Sequence, residues 1–234
     1  MLKKLFMNRK LVVTIFVVLI VISGMVAVGP VVYSAVMGPG VRTEGLSADN
    51  ARPASTELDG EWKVAQGRGA HTTSVGFTFF EILPAERKLT SGTTYDVEGG
   101  VTIIDEQLTA GEIIVDMTTI ETDNERRDIN VRNKILNTDD FPTASFVITE
   151  SSDLSELPAD ATPGTVVLTG ELEIHGQTQP VSHEFDALRD DERIIVSGDV
   201  PINRLDFGVE SPEFVAAAID EEGELNIRIA LEKN

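Results

Sequence analysis

The stretch Leu172-Glu173-Ile174-His175-Gly176-Gln177-Thr178-Gln179-Pro180-Val181-Ser182-His183-Glu184-Phe185 decides how the rest of the chain is read. Leu172 and Ile174 alternate with Glu171 and Glu173, and Val181, His183 and Phe185 alternate with Ser182 and Glu184. Successive side chains of a strand point to opposite faces, so each arm presents one apolar face and one polar face. Gly176-Gln177 between the arms reads as the turn of a hairpin. With His175 opposite Thr178, that register sets His183 across from Gly170.

Outward from this hairpin the same alternation recurs. Val75, Phe77 and Phe79 share a face, and so do Leu225, Ile227, Ile229 and Leu231, with Asn226, Arg228 and Glu232 on the other side. Turn residues separate ten predicted strands, at 61–66, 74–83, 93–97, 101–105, 107–118, 144–150, 165–175, 178–188, 193–202 and 224–231. Eight to ten such strands are enough for a closed antiparallel sheet. The fold class is therefore all-β, an antiparallel barrel of about eight strands. One helix interrupts it, predicted over 123–136. Thr122 with Glu125 three residues on has the form of a capping box. Arg126, Arg127, Arg132 and Lys134 make this helix basic within an acidic protein.

The formal net charge is −20, from 19 basic and 39 acidic residues. The first 60 residues hold 6 basic and 4 acidic side chains, which leaves 13 against 35 for residues 61–234. Affinity for phosphate backbones comes from Lys and Arg, so nucleic acid is not an expected partner. The chain has no cysteine, which excludes disulfides, thiol nucleophiles, thiolate metal sites and a lipoprotein anchor.

Residues 1–10 carry Lys3, Lys4, Arg9 and Lys10 and no acid, and form a basic tail. An apolar run follows over 11–37, long enough for a span of ~20 residues with room for tilt. The basic flank stays cytoplasmic by the positive-inside rule, which puts the C-terminal domain outside the cell membrane on a single pass. The competing reading is a cleaved signal peptide. Its apolar core would be ~7–15 residues long, with an Ala-x-Ala-like site after it. Here the core is longer, and Tyr33-Ser34-Ala35 sets a bulky residue at the upstream recognition position. Residues 38–60, rich in Gly, Ala, Ser and Pro, read as a flexible linker spanning ~25 Å on average. Residues 61–234 form the barrel domain.

Four segments in order resemble the YceI-like family. They are Gly170–Val181, Thr122 to Arg132 (through Asn124, Arg127 and Asp128), Phe141-Pro142-Thr143-Ala144-Ser145-Phe146, and Ile202-Asn203-Arg204-Leu205-Asp206-Phe207-Gly208. The resemblance implies an extended, lipocalin-like barrel whose apolar interior holds a long isoprenoid or similar lipid. Gly60-Glu61-Trp62 is similar to the Gly-x-Trp that opens lipocalin barrels, with the indole packed across the base. Asn130 stands where the family usually has His, and Ile135-Leu136 replaces its Phe pair. The N-terminal apolar segment is similar to that of some actinobacterial members.

Periodicity alone allows either a filled barrel or a hollow one; the resemblance implies the hollow one. Its candidate ligand-binding residues, chosen by strand face, are Val75, Phe77, Phe79, Leu172, Ile174, Val181, His183 and Phe185. The expected ligand is a long-chain isoprenoid-type lipid or quinone, with no cofactor. His175 and His183 lie too far apart on the hairpin to share a metal, and His71 sits alone in a Gly-rich loop, so no metal site is expected. Arg126 and Arg127 are read as structural, paired with Asp123 and Asp128, before they are read as headgroup contacts. No Gly-x-Ser-x-Gly elbow or P-loop is present, and no catalytic residue is nominated. Two functions follow from different classes. One is a membrane-tethered lipid binder, and the other is a ligand-free barrel acting as an envelope interaction module.

Overall fold

The computed structural model describes residues 9–36, 38–82, 87–211 and 218–234. Helix α1 (Arg9–Val36) precedes a single β-sheet domain. Its stretch Arg9–Gly29 has a mean hydropathy of 3.1 and is long and apolar enough to cross a membrane or to serve as a signal sequence. The domain strands are β1 (Gly60–Ala65), β2 (Ser74–Ile82), β3 (Arg87–Thr94), β4 (Val97–Ile104), β5 (Gln107–Asp116), β6 (Thr143–Ile148), β7 (Ser152–Asp153), β8 (Gly164–Ile174), β9 (Gln177–Asp190), β10 (Arg193–Asn203) and β11 (Ala218–Lys233).

Neighbouring strands pair antiparallel in the order β1-β4-β5-β6-β8-β9-β10-β11, and β11 returns to β1 through Trp62↔Lys233 and Ala65↔Ala230. The result is a closed eight-stranded barrel. It is extended because β11 has 16 residues. Its end, Ala230 to Lys233, pairs with β1, while Ala218 to Arg228 carries the β2–β3 hairpin through partners such as Phe77↔Leu225. The short β7 pairs with the start of β5.

One end of the barrel is filled. Trp62 is 2% exposed and packs with Leu58, Ile103, Leu108, Leu154, Leu157 and Ile194. Its indole Nε1 donates to the Leu58 carbonyl at 2.7 Å, which satisfies the one polar atom such a residue brings into a core. The indole expected across the base is found there.

Three expectations need correction. The hairpin turn is His175-Gly176, not Gly176-Gln177. Ile174 pairs with Gln177, and His183 with Leu168 rather than Gly170. Both turn residues have positive φ, 52° and 69°, as a two-residue turn matched to strand twist requires. The helix is shorter and capped differently. Helix α2 (Glu125–Asn130) starts at Asn124, whose side chain accepts from the Arg126 and Arg127 amides, and it continues as a π-turn over Val131–Ile135. Thr122 does not cap it. Its N–H and hydroxyl both donate to Asp128, at 2.7 and 2.6 Å. The predicted strand 93–97 instead spans the break between β3 and β4, and most of β3 was not predicted at all.

Residues 38–59 are laid along the outside of the barrel as a strap rather than hanging as a free tether. Gly40 bridges to Ser91. Arg42 pairs with Asp199 and Glu224 at 2.8 and 2.7 Å, and Thr43 shares a hydroxyl hydrogen bond with Thr93 at 2.8 Å. Leu46 and Ala51 cover Leu188, Ile195 and Ala230. His71 ties the strap down from a neighbouring turn. Its Nε2 lies 2.7 Å from the Ser47 carbonyl, and its Nδ1 lies 3.1 Å from Asp190. Beneath the strap lies a buried polar layer that includes Thr78, Ser91, Thr93, Asn226 and Arg228. Arg228 Nε donates to the Thr72 carbonyl at 2.9 Å. Burial lowers its pKa from the ordinary arginine value, while Glu44 and Tyr95 act in the opposite direction.

Candidate functional site

Above the filled base the interior is hollow. A cavity of about 1090 Å³ runs up the barrel and reaches the surface at the end where α2 lies. Alternation along the strands produces its lining. The inward residues are Val75, Phe77 and Phe79 on β2, Val101 on β4, Ile113 and Val115 on β5, Leu168, Leu172 and Ile174 on β8, Val196, Val200 and Ile202 on β10, and Leu225, Ile227 and Ile229 on β11. Val75, Phe77, Ile113, Val181, Val196, Leu225 and Ile227 are only partly buried although they point into the barrel. Their remaining accessible surface is the wall of the cavity.

Two glycines help to make the space. A Cβ on Gly198 of β10 would stand 2.7 Å from the Phe185 ring, and one on Gly92 of β3 would stand 2.9 Å from the Phe77 ring. Each glycine leaves room for an aromatic ring to lie flat across a neighbouring strand. Phe77 and Phe79 are themselves in tilted contact, with centroids 6.2 Å apart.

Of the residues predicted by strand face, Val75, Phe77, Phe79, Leu172, Ile174, Val181 and Phe185 border the cavity. His183 lies on the same face but is not among the bordering residues; its ring stands edge-on to Phe185, with centroids 5.2 Å apart. His175 lies in the hairpin turn against Phe141, 4.2 Å between rings, and His71 is at the strap. Among the described residues no group of three or more His, Asp or Glu converges as a metal site.

Sequence reasoning missed most of the lining and, apart from Arg126 and Arg127, the mouth. Val196, Val200 and Ile202 were legible from their alternation. The mouth was not, because α2, the π-turn and the turn at Arg204–Phe207 meet only in three dimensions. Arg126, Arg127, Asn130, Val131, Lys134, Ile135 and Leu136 border the cavity from α2 and the π-turn, with Arg204, Phe207 and Val209 facing them. Met25, Val26, Ala27 and Gly29 of α1 also border the opening.

The cations at the mouth differ in employment. Arg127 is 7% exposed, pairs with Asp123 at 2.8 Å and donates to the Gly38 carbonyl at 3.2 and 3.3 Å. Arg132, which does not border the cavity, donates to the Ile120 carbonyl at 3.1 Å. Arg204 spends its guanidinium on the backbone carbonyls of Val209, Ile219 and Asp220. Arg127 and Arg204 hold chain segments together around the opening, and of the expected ion pairs the one between Arg127 and Asp123 is present. Asp128 is not the second partner, since it receives Thr122. Arg126 is exposed at the rim.

Residues 62–231 match the YceI-like domain. A UPF0312 protein of Pseudomonas putida (strain W619) is 26% identical over 191 residues, which is 75% of this chain and 86% of that protein. Among solved structures, Burkholderia cenocepacia BcnA superposes with a TM-score of 0.55 at 15% identity, over 68% of this chain and 94% of its own. A polyisoprenoid binding domain from Saccharophagus degradans, implicated in plant cell wall breakdown, superposes with a TM-score of 0.53 at 14% identity, over 69% and 98%. At such identities the two structures speak for the fold alone. The domain match, however, runs from the base indole at Trp62 to Leu231 near the end of the last strand. On that ground the chain belongs to the YceI-like family.

Proposed function

We propose that this protein is a membrane-tethered, extracytoplasmic lipid binder that holds a long-chain isoprenoid-type lipid, such as a quinone or a polyprenyl chain, in the barrel interior. The observation that supports it is the cavity of about 1090 Å³, whose walls are almost wholly aliphatic and aromatic. If each carbon takes about the ~30 Å³ that a water occupies in the liquid, this space suits a chain of about thirty to forty carbons. Burying that chain is favourable at ~0.8 kcal/mol per CH₂, so the site needs few polar contacts to hold it. The side chains offered as contacts are Val75, Phe77, Phe79, Leu172, Ile174, Val181 and Phe185. His183 is the one polar candidate on their face. A name such as that of the Saccharophagus degradans domain points to the same class of ligand. The apolar α1, preceded by a basic tail, supports the tether and the orientation.

Organic extraction of the purified protein followed by mass spectrometry tests the reading. It should yield stoichiometric long-chain lipid. A lipid-free sample given isoprenoid quinone at 100 times its Kd should gain ~2.7 kcal/mol, or roughly 5–10 °C in melting temperature for a domain of this size. No extracted lipid and no shift would sink the carrier reading and leave an envelope interaction module.

A further inference from the structure

We infer that the open end of the barrel rests on the surface of the bilayer that holds α1, so that the cavity mouth faces lipid rather than water. The inference depends on reading α1 as a retained membrane span. Its first support is the way the chain leaves that helix. α1 ends at Val36, and Gly38 already offers its carbonyl to both Nη1 and Nη2 of Arg127. Two residues of extended chain reach at most ~7 Å. The C-terminal end of α1 is therefore held close to Arg127 of α2, which borders the mouth. The strap continues the restraint, since Gly40 is bridged to Ser91 and Arg42 to Asp199 and Glu224. The barrel has little freedom to swing its other end toward the membrane.

The second support is the surface of that end. Phe80, Ile82 and Leu89 at the end of the β2–β3 hairpin where the two strands connect, Ile129 on α2 and Leu205 in the turn after β10 are between 38% and 47% exposed. They belong to three chain segments that come together only around the opening. Phe80 and Leu89 face each other across the hairpin, and Arg87 lies over the Phe80 ring at 4.6 Å. Arg87 also pairs with Asp220, which offsets one of the acids at this end. Ile104, at the turn by the filled base, stands singly. The ring carries the exposed acids Glu125, Asp206 and Glu221 beside Arg87 and Arg126, so it is the apolar side chains that settle into the headgroup boundary, ~5–10 Å deep. A lipid could then pass between bilayer and cavity without crossing water.

The absence of cysteine makes the test direct. Full-length Leu89→Cys, Ile129→Cys, Leu205→Cys and Ile104→Cys proteins, each labelled with an environment-sensitive fluorophore, are reconstituted into phosphatidylcholine vesicles with and without brominated acyl chains. All four positions are exposed, so the fold should tolerate them, and agreement among the three rim positions guards against a single misfolded variant. Emission should be lost to the bromines at 89, 129 and 205 and be unchanged at 104. Protein that floats with the vesicles but is quenched nowhere, or equally everywhere, overturns the docking while leaving the anchor intact. Protein that does not float shows that the anchor reading itself has failed, and the docking with it.

Discussion

Arg127→Ala asks whether the cation at the mouth serves the fold or the ligand. The side chain is 7% exposed, and its partner Asp123 is 28% exposed, so the pair is shielded more than a surface ion pair. Its loss leaves the Asp123 carboxylate without its cation and the Gly38 carbonyl without two donors. Breaking a fully buried pair costs ~3–5 kcal/mol. The exposure of Asp123 lets water take over part of that role, which reduces the expected loss to ~2–3 kcal/mol. A domain of this size changes by ~2–4 °C per kcal/mol, so the melting temperature should fall by roughly 5–10 °C. Arg127→Lys should recover only part of it, because an ammonium cannot serve the carboxylate and the carbonyl with the planar fork of a guanidinium. Calorimetry gives the stability, and native mass spectrometry of the folded fraction gives the lipid occupancy, which should be unchanged. An unaltered melting temperature would refute the structural account, and loss of lipid at full stability would move Arg127 to the ligand.

Val181→Trp directs an indole into the cavity beside Leu225 and Ile202 and should displace bound lipid from a barrel that still folds, at a cost below the ~1–3 kcal/mol of overpacking a filled core; extraction and a thermal melt check both. Trp62→Phe removes the donor to Leu58 and leaves space at the base, for a loss of about 2 kcal/mol by denaturant titration. His71→Ala removes both ring contacts that hold the strap and should cost ~1–2 kcal/mol; limited proteolysis should then cut first near Ser47. Protease added to intact spheroplasts should remove the barrel and leave a short membrane fragment, whereas a protected domain or a mature N-terminus near Ala35 would overturn the tethered topology.

The barrel was legible wherever one strand face is apolar. β2, β8, β9 and β10 were found within a few residues of their ends, and the second half of β11 with them, because Val, Ile, Leu and Phe recur at every second position. β3 was not, since its inward positions are Thr90, Gly92 and Thr94 and its outward Ser91 and Thr93 are buried under the strap. A strand that is polar on both faces carries no alternation to read. The strap reads as a tether for a related reason. Arg42 finds its partners 157 and 182 residues away, and composition says nothing of such contacts. The turn at His175-Gly176 was displaced by one residue because Asn-Gly or Asp-Gly, rather than His-Gly, usually announces such a turn. Strand face picked out seven cavity-bordering residues, yet the mouth, built from a helix and two turns, left no periodic trace.

The strap bears on how the domain can be handled apart from its helix. β3 ends the path of pairings at one margin of the sheet. A bare strand margin invites the same strand of another molecule to join it. Here Ser91 donates its N–H to the Pro39 carbonyl and accepts from the Val41 N–H, so the strap occupies the central hydrogen-bonding positions of that margin. Glu121 does the same for Thr93. A fragment cut at residue 60, where the barrel begins, would uncover the margin and the threonines beside it, and the consequence is self-association through β3. A fragment cut at residue 38 keeps the margin occupied and stays monodisperse.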